Sequence, residues 1–382
     1  MRAERTAHDL RLPGMMRIIS VVGARPNFVK LAPVAHALAK RPGVEHLIVH
    51  TGQHYDALMS DSFFRELDIP APSVNLEVGS ASHAKQTAAV MERFEGTCVE
   101  LKPDWVLVYG DVNSTVAAAL VAVKLGIKVA HVEAGLRSYD RTMPEEHNRI
   151  VTDHLADLLL TPSRDAIATL KGEGIPEGRI EFVGNVMIDT LIRLRGRARG
   201  AAAKLGLPEQ GFVLVTLHRP GNVDDPATLG VICDGLAGLA KDRPVVFPVH
   251  PRTRARLAET KGLGNVRLVD PVPYLEMLSL TESAALVVTD SGGVQEETTF
   301  LGVPCLTVRP NTERPITVKE GTNRLIEPGE IVEASTLALE LSGSPGLRPG
   351  SGKARSAPAI ERWDGRAGER IAEVLCDGKR FT

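Results

Sequence analysis

The strongest constraint on this chain is a recurring unit: a short apolar run, a polar or glycine-bearing turn, then residues at helical spacing. Residues 17–22 (RIISVV) run into Gly23-Ala24-Arg25-Pro26. Residues 27–40 then read as a helix, with Asn27 as N-cap and Phe28, Leu31, Val34, Ala35 and Leu38 on one face. The unit returns at 46–50 before TGQH, at 105–109 before GDVN and at 129–132 before EAG. It restarts at 212–217 before HRPGN, 245–249 before HPR, 285–289 before DSGG and 304–308 before RP. Strands this uniformly apolar, alternating with helices, imply parallel sheets covered on both faces. The expected fold class is therefore α/β, with two doubly wound, Rossmann-like domains facing one another across a cleft. Open sheets of this kind bind ligands outside the carboxyl ends of their strands, where the polar residues of this chain concentrate.

A length of 382 residues suits two domains of ordinary size. Residues 1–15 are polar, lack an apolar signal core and read as a disordered extension. Residues 16–190 form the first expected domain and 191–363 the second. Residues 191–204, rich in Arg, Ala and Gly, read as a helix end plus a hinge. Residues 342–358 read as a surface loop and 364–376 as a helix. The 45 Lys and Arg balance 47 Asp and Glu, a net charge of -2, which excludes a protein dominated by nucleic-acid or anionic-membrane binding. No uncharged apolar run reaches the roughly 18–20 residues of a membrane span. Cys98, Cys233, Cys305 and Cys376 lie far apart, so neither a disulfide scaffold nor a metal site is expected, and the cytoplasm is the default compartment.

Two kinds of group collect at the strand ends. In Asp290-Ser291-Gly292-Gly293-Val294-Gln295-Glu296-Glu297 a strand feeds a glycine turn that opens a helix. Ser291, Gly292 and Gly293 can bring backbone N–H groups and a helix N-terminus to a diphosphate, and Glu296 or Glu297 could accept from ribose hydroxyls. A tight turn with an Asx cap is the simpler account of that segment alone. His218 and His250 end strands of the same half, and Arg314 follows another. From the first half, Arg25 could reach a phosphate, with Lys30 one turn later. That half otherwise supplies carboxylates. Asp111 and Glu133 end successive strands, while Glu145 and Glu146 follow Pro144, where capping of a helix N-terminus accounts for the pair by itself. Carboxylates brought together raise one another's pKa, which readies them for proton transfer. The division fits a nucleotide-linked substrate with its reacting carbon toward the first half.

The segments GARPNFVKLAPV, TGQHYD, GDVNST, HVEAGLRSYDRTMPEEHNR, TLHRP, PVHPR, DSGGVQEE and NTERP, in this order, resemble the non-hydrolysing UDP-N-acetylglucosamine 2-epimerase family from about residue 17 to the last helix. The resemblance implies a glycosyltransferase-B-like fold whose C-terminal helix (364–382) returns to the first domain, a homodimer, and interconversion of UDP-GlcNAc and UDP-ManNAc without a cofactor. In the mechanism it implies, C2 loses a proton and UDP is expelled to leave 2-acetamidoglucal; UDP adds back after reprotonation on the other face. It further implies Asp111, Glu133 and Glu145 as catalytic carboxylates. Arg25, His218, Ser291, Gly292, Gly293, Glu297 and Arg314 would surround UDP, with Lys30, Arg149 and His250 as further active-site positions. His218 would stabilise charge developing on the departing UDP.

The chain departs from that pattern in places. It reads GARPN where many relatives read GTRPE, and Pro220-Gly221-Asn222 where many carry a Glu-Asn pair. Gln53, Lys85 and Gln86 lie where some members bind a second, activating UDP-GlcNAc, but Tyr55-Asp56 replaces the usual polar pair, which argues against such activation. TGQHYD also occurs in epimerases of UDP-diacetamido-hexuronic acids. That substrate, a hydrolysing outcome and a non-catalytic nucleotide-sugar binder therefore stay open, the last opposed by the three retained carboxylates.

Overall fold

The computed structural model describes residues 14–52, 64–259, 262–341 and 357–381. The chain divides into two compact units, one reaching Thr190 and resuming at Glu361, the other Leu191–Ile360. The expected boundary at 363 thus moves to 360. The expected N-terminal extension (save Gly14 and Met15), most of the 342–358 loop, and Gln53 with Tyr55-Asp56 lie outside the described residues.

In the first unit, seven strands pair in parallel: β1 (Met16–Val22), β2 (Val44–His50), β3 (Val74–Asn75), β4 (Trp105–Tyr109), β5 (Lys128–Val132), β6 (Leu158–Thr161) and β7 (Ile180–Phe182). Their order is β3-β2-β1-β4-β5-β6-β7. Its described helices include α1 (Arg25–Leu38), α2 (His83–Leu101), α3 (Asn113–Lys124), α4 (Pro144–Leu155) and α5 (Arg164–Gly172), and α6 (Val186–Arg195) runs across the boundary at Thr190. Ile18, Ile19, Val106, Leu107, Val108 and Ala130 are fully buried, which two-sided cover by helices requires. The apolar face of α1 is buried as its spacing predicts, but the helix begins earlier than expected. Ala24 is the N-cap, and Asn27 lies inside the first turn. Its side chain reaches back to accept from the N–H groups of Gly23 and Ala24, at 3.3 and 3.1 Å, and donates to the Tyr109 carbonyl. The α1 start is thereby tied to the end of β4.

The second unit begins within α6, continues through α7 (Ala201–Lys204) and holds six parallel strands: β8 (Val213–Thr216), β9 (Val245–Pro248), β10 (Arg267–Val269), β11 (Leu286–Thr289), β12 (Cys305–Val308) and β13 (Asn323–Ile326). They are ordered β10-β9-β8-β11-β12-β13. Around them lie α8 (Pro220–Val223), α9 (Pro226–Leu239), α10 (Pro251–Glu259), α11 (Tyr274–Ser283), α12 (Gly292–Leu301), α13 (Pro315–Lys319) and α14 (Ile331–Leu341). The strand order of each unit reverses direction once, between β1 and β4 in the first and between β8 and β11 in the second. Such switch points open a crevice at the carboxyl ends.

The last helix, α15 (Ala367–Asp377), packs on α1 in the first unit. Gly368 makes the approach possible: a Cβ there would lie 2.5 Å from the Pro33 carbonyl oxygen. The Asp189 carboxylate accepts from the Gly368 N–H at 2.8 Å. The tail beyond α15 lines the open edge of β7, where Phe182 N–H donates to the Phe381 carbonyl at 3.1 Å. No helix among the described residues is long and apolar enough to cross a membrane.

Candidate active site

The turns that follow β4 and β5 carry Asp111 and Glu133. Gly110 adopts φ +63°, and a Cβ there would lie 2.7 Å from Lys30 Nζ and 3.2 Å from Glu133 Oε2. Those neighbours are the ends of flexible side chains, so the positive φ is the stronger reason for glycine there. Glu133 itself takes φ +72°, a left-handed conformation that costs a non-glycine residue on the order of 1–2 kcal/mol. The backbone is thus held at an unfavourable angle by a residue that carries a carboxylate.

Each carboxylate faces a cation. Glu133 pairs with Lys30 of α1, both side chains almost wholly buried. Asp111, 29% exposed in its side chain, pairs with Arg149 of α4. Asp111 and Glu133, expected at successive strand ends, each have a counter-ion of their own, and Lys30, expected one turn after Arg25, is the partner of Glu133. The other fork of Arg149 meets Glu146. Glu146 accepts from Ser138 N–H (3.0 Å), Ser138 Oγ (2.8 Å) and Tyr139 N–H (2.9 Å). Burial alone would raise its carboxyl; the Ser138 hydrogen bonds and Arg149 outweigh it and hold it below the ordinary range. Glu146 therefore anchors the loop ahead of α4 rather than capping the helix start. Glu145, half-buried beside it, shows no such commitment among the described residues. Asn148 donates to the Asp111 carbonyl at 2.8 Å and steadies that turn.

Arg25 opens α1; its side chain lies outside the described part. Gln86 is buried, accepts from Asn113 at 2.8 Å and donates to the Gly79 carbonyl at 3.1 Å.

In the second unit, the hub is Asp290. Fully buried at the end of β11, it accepts from the backbone N–H groups of His218 and Arg219, at 3.0 and 2.9 Å, and from Asn222 Nδ2 at 3.1 Å. Its Oδ1 lies 2.9 Å from His218 Nδ1. Burial would raise this carboxyl, but the His218 bond, Arg219 N–H and Asn222 hold it lowered and ionised. His218 is 62% exposed in its side chain, so Asp290 fixes one ring nitrogen while Nε2 points away. The expected Asx cap is a cross-strand lock on the HRPGN turn instead.

Ser291 is the N-cap of α12, with Gly292 and Gly293 as its first residues. Gly292 lies against Arg314, whose guanidinium a Cβ would overlap. Arg314 is buried between Glu313 (2.6 Å) and Glu296 (2.9 Å). Glu297 accepts from the Tyr274 hydroxyl at 2.8 Å, and burial pushes its carboxyl up to about 7. His250 is exposed at the end of β9, the strand beside β8. No group of three or more His, Cys, Asp or Glu residues among those described could hold a metal ion. Burial pushes the Cys98 thiol up to about 12, and those of Cys233 and Cys305 to about 11.

The two parallel-sheet units make an α/β fold of the glycosyltransferase-B-like class, shared with solved UDP-GlcNAc 2-epimerases. The family model described as UDP-N-acetylglucosamine 2-epimerase matches residues 36–376. A UDP-N-acetylglucosamine 2-epimerase homolog of Methanococcus maripaludis is 46% identical over 321 residues, 81% of this chain and 88% of its own. The UDP-2,3-diacetamido-2,3-dideoxy-D-glucuronate 2-epimerase of Pseudomonas aeruginosa is 42% identical over 367 residues, 94% of this chain and 99% of its own. The crystal structure of Methanocaldococcus jannaschii UDP-GlcNAc 2-epimerase in complex with UDP-GlcNAc and UDP matches with a TM-score of 0.84 at 40% identity, covering 95% of this chain and 100% of that one. The chain belongs to the UDP-N-acetylglucosamine 2-epimerase family and is an isomerase.

Proposed function

We propose that this chain interconverts UDP-GlcNAc and UDP-ManNAc without releasing free sugar, as a cytoplasmic homodimer that needs no added cofactor. In the forward direction a carboxylate takes the C2 proton. The C1–O bond breaks, its electron pair leaves with UDP, and a C1–C2 double bond forms. UDP then re-forms the C1–O bond as C2 is protonated on the opposite face, so nothing is consumed. Asp111, Glu133 and Glu145 share the two proton transfers. His218, presented through Nε2, stabilises charge on the departing diphosphate. The N–H groups at Ser291, Gly292 and Gly293 receive the diphosphate, with Arg314, Arg25 and His250 as cationic or imidazole neighbours. Glu297 receives the ribose hydroxyls. Lys30 and Arg149 hold the carboxylates in place. The four free cysteines fit a reducing compartment.

The observation that carries this reading is the backbone of Glu133. A left-handed glutamate, counter-ioned by a buried lysine beside a glycine at φ +63°, is costly for stability alone and suits a carboxylate that must be aimed. Incubation with UDP-GlcNAc in deuterated water, without cofactor, should give UDP-ManNAc carrying one deuteron at C2. Product without solvent deuterium at C2 would exclude the elimination route.

The Pseudomonas relative supports a second reading, in which the sugar is a UDP-diacetamido-hexuronic acid. NMR of the products from both UDP-sugars, run side by side, decides between them. Light scattering tests the dimer.

A further inference from the structure

Behind the turns of Asp111 and Glu133 runs a chain of buried charges that the proposed chemistry leaves unused. His131 on β5 is fully buried. Its Nε2 lies 2.8 Å from the Gly110 carbonyl, and its Nδ1 lies 2.6 Å from Asp153 Oδ1 on α4. The other oxygen of Asp153 accepts from Gly135 N–H at 3.1 Å and pairs with Arg137 at 2.7 Å. Arg137 continues as a two-pronged bond to Glu173, both contacts 2.8 Å. Burial would raise the Asp153 carboxyl; His131 and then Arg137 outweigh it and leave it lowered.

Two of the groups gripped by this chain are glycine backbones. Gly110 precedes Asp111, and Gly135 comes two residues after Glu133; their φ angles are +63° and +84°. Glycine turns are soft, so something outside them must set their angles. Here one carboxylate does so for both, directly at Gly135 and through an imidazole at Gly110. The donor count follows. A carbonyl only accepts, so the bond to Gly110 needs a hydrogen on His131 Nε2, while Nδ1 on the other side of the ring meets Asp153. Buried ion chains of this sort add little net stability compared with an apolar core, and their best-attested use is to fix one geometry among several.

We propose that His131 and Asp153 are positioning residues for the epimerisation: together they set the spacing between the Asp111 and Glu133 carboxylates. The role in turnover rests on the function proposed above; the hydrogen-bond clamp does not. In Asp153→Asn, the amide oxygen cannot satisfy His131, Gly135 and Arg137 at once. Turnover should fall about 100-fold, the loss typical of an ångström of misplacement, while UDP affinity changes less than about threefold. Proton–nitrogen NMR of the unaltered protein at neutral pH should show a slowly exchanging Nε2–H on His131, and in Asp153→Asn that proton should exchange faster. Unchanged turnover in a folded Asp153→Asn overturns the proposal. So does a rapidly exchanging or absent Nε2–H on His131 in the unaltered protein, a measurement that stands even if the variant does not fold. If the unaltered protein fails to epimerise UDP-GlcNAc yet shows the protected Nε2–H, the functional reading fails and the clamp survives.

Discussion

At the carboxyl end of the first sheet, Asp111 and Glu133 are each answered by a buried cation, and a second layer of charges braces their turns. At the end of the second sheet, one carboxylate, Asp290, gathers two backbone N–H groups, an amide and an imidazole, and leaves that imidazole largely open. Moving a proton at carbon demands a carboxylate aimed to a fraction of an ångström, and counter-ions with fixed turns supply that aim. The diphosphate contact proposed above calls for donors that need no reorganisation, a role N–H groups at a helix start are suited to. The two ends therefore spend charge differently although the chain as a whole is nearly neutral.

Breaking the first arrangement should cost the most. Glu133→Gln removes the proposed proton-transfer group and leaves Lys30 buried without its partner. Turnover should drop by at least about 1,000-fold, and unfolding free energy by about 3 kcal/mol. The double variant Lys30→Met with Glu133→Gln should regain most of the stability and none of the turnover. A stable, active double variant in thermal unfolding and product assays would show that the pair is ordinary packing.

Arg149→Lys sharpens the same side. A lysine keeps the charge but cannot fork to Asp111 and Glu146 together, so turnover should fall about 10- to 100-fold. Steady-state kinetics should place the loss in kcat rather than KM.

On the second side, Asp290→Asn sets an amide N–H against three donors. UDP affinity should weaken about tenfold in calorimetry, with about 2 kcal/mol lost in stability. The Asp290 carboxyl is lowered in the folded chain, so its stabilisation is present above the ordinary Asp range and fades below about 4. The variant should flatten that acid limb.

The smallest effect belongs to Glu297. Burial lifts it from 4.5 to about 7, so its ionisation opposes folding, and stability should decline as pH rises from about 4.5 to about 7. Glu297→Gln should remove that decline in thermal melts taken across the interval. An identical slope in the variant would assign it to other groups.

Much of this was legible from the chain alone. Strands β1, β4, β5, β8, β9, β11 and β12 announce themselves as apolar runs ending in polar turns, and Asp111, Glu133 and His218 stand out because they sit at those ends. The weaker strands do not. β13 reads Asn-Arg-Leu-Ile, and β7 carries Glu181, buried because Arg380 and the Phe381 N–H satisfy it. A local pattern cannot reveal a partner 199 positions away. The pairing of Lys30 with Glu133 is hidden for the same reason, since 103 residues separate them. Glu146 looked like a helix cap because its return to Ser138 depends on how the loop folds over. His131 and Asp153 did leave one trace: a histidine inside the apolar strand KVAHV, where burial demands partners.

The docking of α15 on α1 and of the tail on β7 has a consequence for biosynthesis. The second unit is, in effect, an insertion within the first, since residues on either side of it complete one body. A ribosome that has delivered everything through Thr190 has released all seven strands of the first sheet but not the helix that covers α1. That surface must wait while about 170 more residues emerge, roughly 10–30 seconds at ordinary elongation rates. Stalled or clipped chains ending before Glu361 would keep an apolar face of α1 open to chaperones and to one another.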